Sequence, residues 1–261
     1  MARSKSTRAP AEPAAKRRTG TSTGGPTRRE RVEAMQAEQR RKERRIRLIA
    51  AVAVLVAFVG VVVLVQSQRG RIDQTAPRPA GVTEAAGGIA LGAPVGSGKP
   101  LVELYEDFSC PHCRDLEATI GPTLHELIDA KSATVMYRPI AILGDDSVRA
   151  GAASGCAQTG GQFLAYHDTL YANQPAEGSG GFSVDRLIEF GGQVGLTDAR
   201  FTQCVTDQTY RRWVQDATVA ASQRGVHGTP TVFVNGAELA LVPGDPNAVT
   251  MLRDAVAKPA G

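Results

Sequence analysis

From Leu48 to Val65 every position is apolar or glycine, and no charge returns until Arg69. A run of that length carries a helix across the hydrocarbon core of a bilayer. Downstream, the apolar positions fall into shorter blocks, each with its own period. Leu101–Asp107 alternates weakly and ends against Phe108, which predicts a central strand. From Cys110 the period becomes helical, with Leu116, Ile120, Leu124, Leu127 and Ile128 on one face. Pro122 lies inside that helix and is expected to kink it. Ala133–Ile140 returns to strand character, bounded by Pro139.

Strand signal then fades from Asp145 to Gly225. Helical segments are predicted at Ser147–Thr159, Gln162–Gln174, Val184–Val194, Asp198–Asp207 and Tyr210–Arg224. Gly161 and Gly195 punctuate them, Thr197 is placed to cap one, and Gly225 stands where a C-terminal cap belongs. Thr231–Val234 and Glu238–Val242, joined at Asn235-Gly236, predict a β-hairpin with a two-residue turn. Asn247–Ala257 predicts a last helix. The order is strand, helix, strand, helical block, hairpin, helix, an α/β arrangement without an internal repeat.

Charge divides the chain sharply. Residues 1–47 hold 15 Lys/Arg against 5 Asp/Glu, a net of +10, so the remainder carries −6 of the overall +4. The basic pI belongs to this flank, whose first half is too polar and Pro-rich to fold. Its second half, Arg28–Arg47, suits a polar helix continuous with the apolar run. A solvated flank beside anionic headgroups is the expectation, and the stretch lacks the interleaved aromatics that would point to nucleic acid. With the Lys/Arg excess on its N-terminal side, segment 48–66 is predicted to span with the N-terminus inside and the rest exported. A cleaved signal peptide is the rival, but Gln66-Ser67-Gln68-Arg69 offers no small-x-small site. Residues 67–98 read as a Gly/Ala/Pro linker, and 99–261 as the folded domain, with its helical insertion at about 145–225.

Four cysteines are present. Cys110 and Cys113 flank Pro111 and His112 where the first strand gives way to its helix. Free backbone N–H groups and the helix dipole favour an anion there, so Cys110 is expected to ionise easily and act as the nucleophile. Pro111 suits the first helical turn, and a protonated His112 would add positive charge. Cys113, one turn further in, is the expected resolving thiol. A zinc knuckle would need two more ligands, and Cys156 and Cys204 are widely separated and lack a second paired spacing. An inert structural disulfide is the other reading. Gly228-Thr229-Pro230-Thr231, just before the hairpin, is compatible with a cis Thr229–Pro230 bond.

Cys110-Pro111-His112-Cys113 together with Gly228-Thr229-Pro230 resembles the DsbA branch of the thioredoxin superfamily, over about residues 99–257. The resemblance implies a thioredoxin-like fold with an inserted helical domain, preceded by one transmembrane helix. It also implies that the Thr229–Pro230 loop faces the active sulfur and lines the substrate groove. The anchored form with an extra cysteine pair is similar to DsbA-like proteins of high-GC Gram-positive bacteria. Many relatives carry a buried acid six residues before the first cysteine, where this chain has Leu104. Glu106 and Asp107 lie nearer, either as proton-transfer groups or as surface acids at a strand end.

The implied activity is dithiol oxidation of exported proteins, with the Cys110–Cys113 disulfide passed to reduced substrate thiols. A membrane quinone-linked partner of DsbB type, or one resembling vitamin K epoxide reductase, would recharge it, and no cofactor or metal is expected. A reductase or isomerase of the same fold and a non-catalytic binding protein are the alternatives. Cys156 and Cys204 are expected to pair as a structural disulfide in the insertion, with free buried thiols or a shuttle disulfide as the other readings. His125 and His167 read as surface or packing residues, His227 as a possible border of the groove, and Phe163 and Trp213 as core.

Overall fold

The computed structural model describes residues 28–69, 72–84 and 87–258. The expectation that the first part of the basic flank is unstructured concerns residues outside that set. Two compact units are separated near Val65.

In the first unit, α1 (Arg28–Arg69) is one uninterrupted helix of 42 residues. Its Ala, Arg, Glu and Gln content favours helix, and it contains no proline. The apolar stretch is exposed on every side, with Leu55 at 61% and Phe58 at 65%. A helix apolar all round has no polar face to offer water. It is long and apolar enough to cross a membrane, a composition that anchors and signal sequences share.

The second unit is built on a five-stranded mixed sheet, β1 (Ile89–Gly92), β2 (Leu101–Glu106), β3 (Thr134–Pro139), β4 (Thr231–Val234) and β5 (Ala237–Leu239). Their order is β1-β3-β2-β4-β5, with only the β2–β3 pair parallel. A parallel pair needs a crossover, and α2 (Pro111–Asp129) supplies it. Leu116, Ile120 and Leu124 are fully buried against the Val102 and Leu104 face of β2. The opposite face of β2 packs Tyr105 against Ala217 and Ala221 of α7 (Arg211–Gln223). On that face Glu103 is buried but paired, accepting from Arg138 Nε at 2.9 Å and from both Arg224 amino groups at 2.8 Å.

The block between β3 and β4 comprises α3 (Asp145–Thr159), α4 (Phe163–Ala172), α5 (Val184–Gln193), α6 (Ala199–Thr206) and α7, and α8 (Ala248–Ala257) closes the unit. These helices share one core with the sheet. Asn235 and Gly236 both take positive φ, 52° and 82°, as a two-residue hairpin turn of the primed type requires.

Three features differ from the sequence expectations. The segment read as a linker, 67–98, contains β1, whose four residues are too few for periodicity to register. That segment also docks, since the Trp213 indole donates to Gly87 O at 2.9 Å and Val82 is buried. The second hairpin strand is Ala237–Leu239 rather than Glu238–Val242, because the two-residue turn forces pairing to start at Val234↔Ala237. The cap of α6 is Asp198, whose carboxylate accepts from Phe201 N at 2.9 Å, and not Thr197.

Cys156 on α3 and Cys204 on α6 form a disulfide, with Cα atoms 5.9 Å apart and a separation of 48 positions in sequence. Closing a loop of that size constrains the unfolded chain by up to about 4 kcal/mol in the chain-entropy model. The Cys156→Ala/Cys204→Ala double variant is therefore expected to unfold at lower urea concentration by an equivalent amount, with the helical content of the folded state retained. An unchanged urea midpoint would mean that the bridge adds nothing.

Candidate active site

Cys110 is the N-cap of α2, at φ −82° and ψ 118°, with Pro111 in the first turn. The turn before it is held by Asp107, which is fully buried. One Asp107 oxygen accepts from Ser109 N at 2.8 Å, and the other from Ile142 N and Leu143 N at 2.8 and 3.0 Å. Gln174, just beyond α4, braces the same loop from the insertion by donating to Phe108 O and Cys110 O at 2.8 and 2.9 Å. Asp107 and Gln174 thus fix where the first sulfur sits.

Both thiols are free. Cys110 is 6% exposed and Cys113 fully buried, so the first sulfur is the outer one. The Thr229–Pro230 bond is cis, and the Cys110 thiol donates to Thr229 O at 3.4 Å. The Thr229 hydroxyl is buried and has no partner in this protonated form. It is free to donate once the sulfur ionises.

The pKa values of the two thiols move apart. A hydrogen bond from Cys113 is the largest influence on Cys110. Burial opposes it, and Thr229 together with the backbone N–H groups of Cys113 and His112 adds to it, leaving the pKa lowered to about 6. His112 acts through its backbone, while its ring is exposed to solvent. Cys113 is driven strongly upward, first by burial, then by its hydrogen bond to Cys110 and by the charge of Glu106. One sulfur is an anion near neutral pH and its neighbour a firmly held thiol.

The thioredoxin family model matches residues 85–253. The chain belongs to the thioredoxin family. Its place within the family is with the DsbA-like thiol–disulfide oxidoreductases. It is 31% identical to the reduced disulfide bond oxidoreductase DsbG of Mycobacterium tuberculosis, with a TM-score of 0.54 over 65% of this chain and 85% of that one. To reduced DsbA of the same organism it is 29% identical, with a TM-score of 0.51 over 63% and 94%. A probable disulfide bond formation protein D of Bacillus cereus is 28% identical over 138 residues, 51% of this chain. The chain spans only part of the curated relatives it matches. It covers 63% of that Bacillus protein and 19% of a Na+/H+ antiporter, NhaA 3, of Salinispora tropica that is 30% identical over 139 residues.

In this thioredoxin-family chain the inner sulfur feels the charge of Glu106, which the sequence left open between a proton-transfer group and a surface acid. Glu106 is 3% exposed and is no surface acid. Its Oε2 lies 3.2 Å from Nε2 of His167, which is 1% exposed and whose Nδ1 is 3.1 Å from Asp168 Oδ1. Burial works against charge on His167, but Asp168 and Glu106 outweigh it and raise its pKa to about 10. Glu117 is buried beside them, its pKa raised by burial and by the Glu106 charge. Glu106, Glu117 and His167 bring metal-donor atoms within 4.8 Å of one another. Both ring nitrogens of His167 are already engaged by carboxylates, so the group forms a buried ion-pair network. A signal for Glu117 was present in the sequence, since it follows Cys113 by four positions and so shares its helical face. His167 gave none, because its partner is 61 residues away. His227 is exposed in the loop ahead of Thr229.

Iodoacetamide should therefore label the reduced protein at Cys110 alone, with a rate that rises through a midpoint near pH 6. Thr229→Val removes the hydroxyl donor and keeps the backbone carbonyl, and is expected to move that midpoint upward. Because the folded pKa of Cys110 is depressed, the reduced form gains stability as pH rises from about 6 towards the free-thiol value of about 8.5. It loses that stability as pH falls through about 6. A midpoint near that of free cysteine would refute the thiolate assignment.

Proposed function

We propose that this chain is a membrane-anchored, extracytoplasmic dithiol oxidase that introduces disulfides into exported proteins through Cys110 and Cys113. The observation that carries the reading is the split between the two sulfurs. An ionised Cys110 held by Cys113, Thr229 and the helix terminus makes the reduced pair comfortable and its disulfide correspondingly oxidising.

The reaction begins with a substrate thiolate attacking Cys110 of the disulfide. A bond forms between the two sulfurs, the Cys110–Cys113 bond breaks, and Cys113 leaves with the electron pair and takes up a proton. The Thr229–Pro230 edge beside Cys110 is suited to hold the extended substrate during this step. A second substrate thiolate then attacks the substrate sulfur and expels Cys110 as its thiolate. The substrate is oxidised by two electrons and the enzyme reduced by two. A low-pKa leaving sulfur speeds that expulsion.

Recharging requires an electron acceptor, which we assign to a quinone-linked membrane oxidase of DsbB type or one resembling vitamin K epoxide reductase. The basic residues ahead of the apolar stretch of α1 support a cytoplasmic N-terminus and an exported domain.

The direction of transfer tests the proposal. The full chain in detergent micelles, oxidised and mixed with an equimolar reduced peptide bearing two cysteines, is expected to yield the peptide disulfide within minutes. Cys110→Ser should yield none. Failure to oxidise the peptide, alongside efficient reduction of insulin by the dithiol form, would make the protein a reductase.

A further inference from the structure

Helices α2 and α4 leave a cavity of about 490 Å³ between them, within the size range of small-molecule sites. Neither Cys110 nor any residue of the Thr229–Pro230 loop lines it, so it is separate from the thiol-exchange face. Ala118, Gly121 and Pro122 line it from one face of α2, at the i, i+3 and i+4 positions that stack along a helix. With Ala172 of α4 they make walls of small apolar groups. Pro122 also has no N–H to give the carbonyl of Ala118, four residues earlier, so a backbone acceptor is left over on the same stretch.

Two carboxyl groups face each other across these walls. Glu117, on α2, is buried, and its Oε1 has no hydrogen-bond partner. Its Oε2 lies over Gly121, where an added Cβ would stand 3.0 Å from it. Glycine at that position therefore keeps the oxygen uncovered. Asp168, on α4, has a side chain 46% exposed, with Oδ1 3.1 Å from His167 Nδ1 and Oδ2 3.6 Å from His125 Nε2.

The positive groups nearby are committed elsewhere. Arg114 lines the cavity, but its Nε and one amino group donate to Asp115 Oδ1 at 3.1 and 2.9 Å. The buried His167 ring lies between Asp168 and a third carboxyl, Glu106, behind the wall. Burial and the Glu106 charge push the Glu117 pKa up, and His167 offsets them only in part. A buried carboxyl left with an unpaired oxygen is costly, and the local field favours one more positive charge beside it.

We propose that the α2–α4 cavity binds a small organic cation, an amidinium or guanidinium on an apolar body, through Glu117 and Asp168. The planar N–H fork of such a group matches a carboxylate, and it sheds water more easily than an ammonium does. Its apolar body lies against Ala118, Pro122 and Ala172, where leaving water is favourable. Bound there, the cation bridges the helix that carries Cys113 to the helical insertion. The site stands apart from the direction of thiol exchange and goes beyond the oxidase reading.

Benzamidine is a suitable probe, since it is water-soluble and joins an amidinium to an apolar ring. The full chain in detergent micelles, in its disulfide form, would be titrated with it and followed by amide NMR shifts. A saturable shift centred on α2 and α4 is expected, with a Kd of about 1 mM or tighter. Benzamide, the same ring with a neutral amide, should bind at least about tenfold more weakly, as a lost charge-assisted pair implies. Glu117→Gln and Asp168→Asn should each weaken benzamidine binding by a similar factor. Ala118→Leu, on an exposed position of α2, fills the cavity and should abolish the shift, and it carries the test with Asp168→Asn if Glu117→Gln fails to fold. No saturable shift below about 10 mM benzamidine would overturn the proposal. Equal affinity for benzamide, or unchanged affinity in the carboxyl variants, would overturn it as well, by reducing the site to an apolar hollow.

Discussion

A hydrogen bond from the Cys113 thiol to the Cys110 sulfur is the largest influence lowering the Cys110 pKa. It exists because the strand-to-helix junction puts one sulfur at the helix mouth and the other a turn inside. The same geometry that exposes Cys110 to the helix N–H groups buries Cys113, so one feature lowers the first pKa and raises the second. Pro111 takes a position in the first turn where its missing N–H costs little. The Asp107 carboxylate ties that turn to Ile142 and Leu143 beyond β3. The cis Thr229–Pro230 loop then supplies a carbonyl for the thiol and a free hydroxyl for the thiolate. Each neighbour acts by choosing which protonation state of which sulfur is comfortable.

The helical insertion is more than a cover over the sheet. Gln174 reaches from it to the carbonyls of Phe108 and Cys110, and His167 reaches from it to Glu106. Its own shape is stapled by the Cys156–Cys204 bridge between α3 and α6. Stiffening the insertion therefore also holds the groups behind the active site in register. The sheet presents the dithiol, and the insertion sets the polar surroundings of its inner half.

Much of this was legible in the sequence because it is local. A Cys-x2-Cys at a strand–helix junction, a Thr-Pro ahead of a hairpin, and an unbroken apolar run are each contained within a few or a few tens of residues. The helical block was readable because glycines such as Gly225, at φ 90°, mark where helices end. What escaped was short or distant. β1 has four residues, too few to show a period. The ion pair of His167 with Glu106 depends on helices and strands meeting in space, and an acid at a strand end carries no sign of which way it will be covered. Asp107 and Glu106 are adjacent in sequence. One became a fully bonded brace, and the other was buried against His167 of the insertion.

The central claim is that the reduced pair is the stabilised one, and its reduction potential measures that directly. The full chain in micelles would be equilibrated in glutathione buffers, quenched by thiol alkylation and read by mass. A potential well above about −200 mV is predicted, as befits a disulfide that is readily given away. A value near or below about −250 mV would contradict the account, because the lowered Cys110 pKa would then not translate into oxidising power.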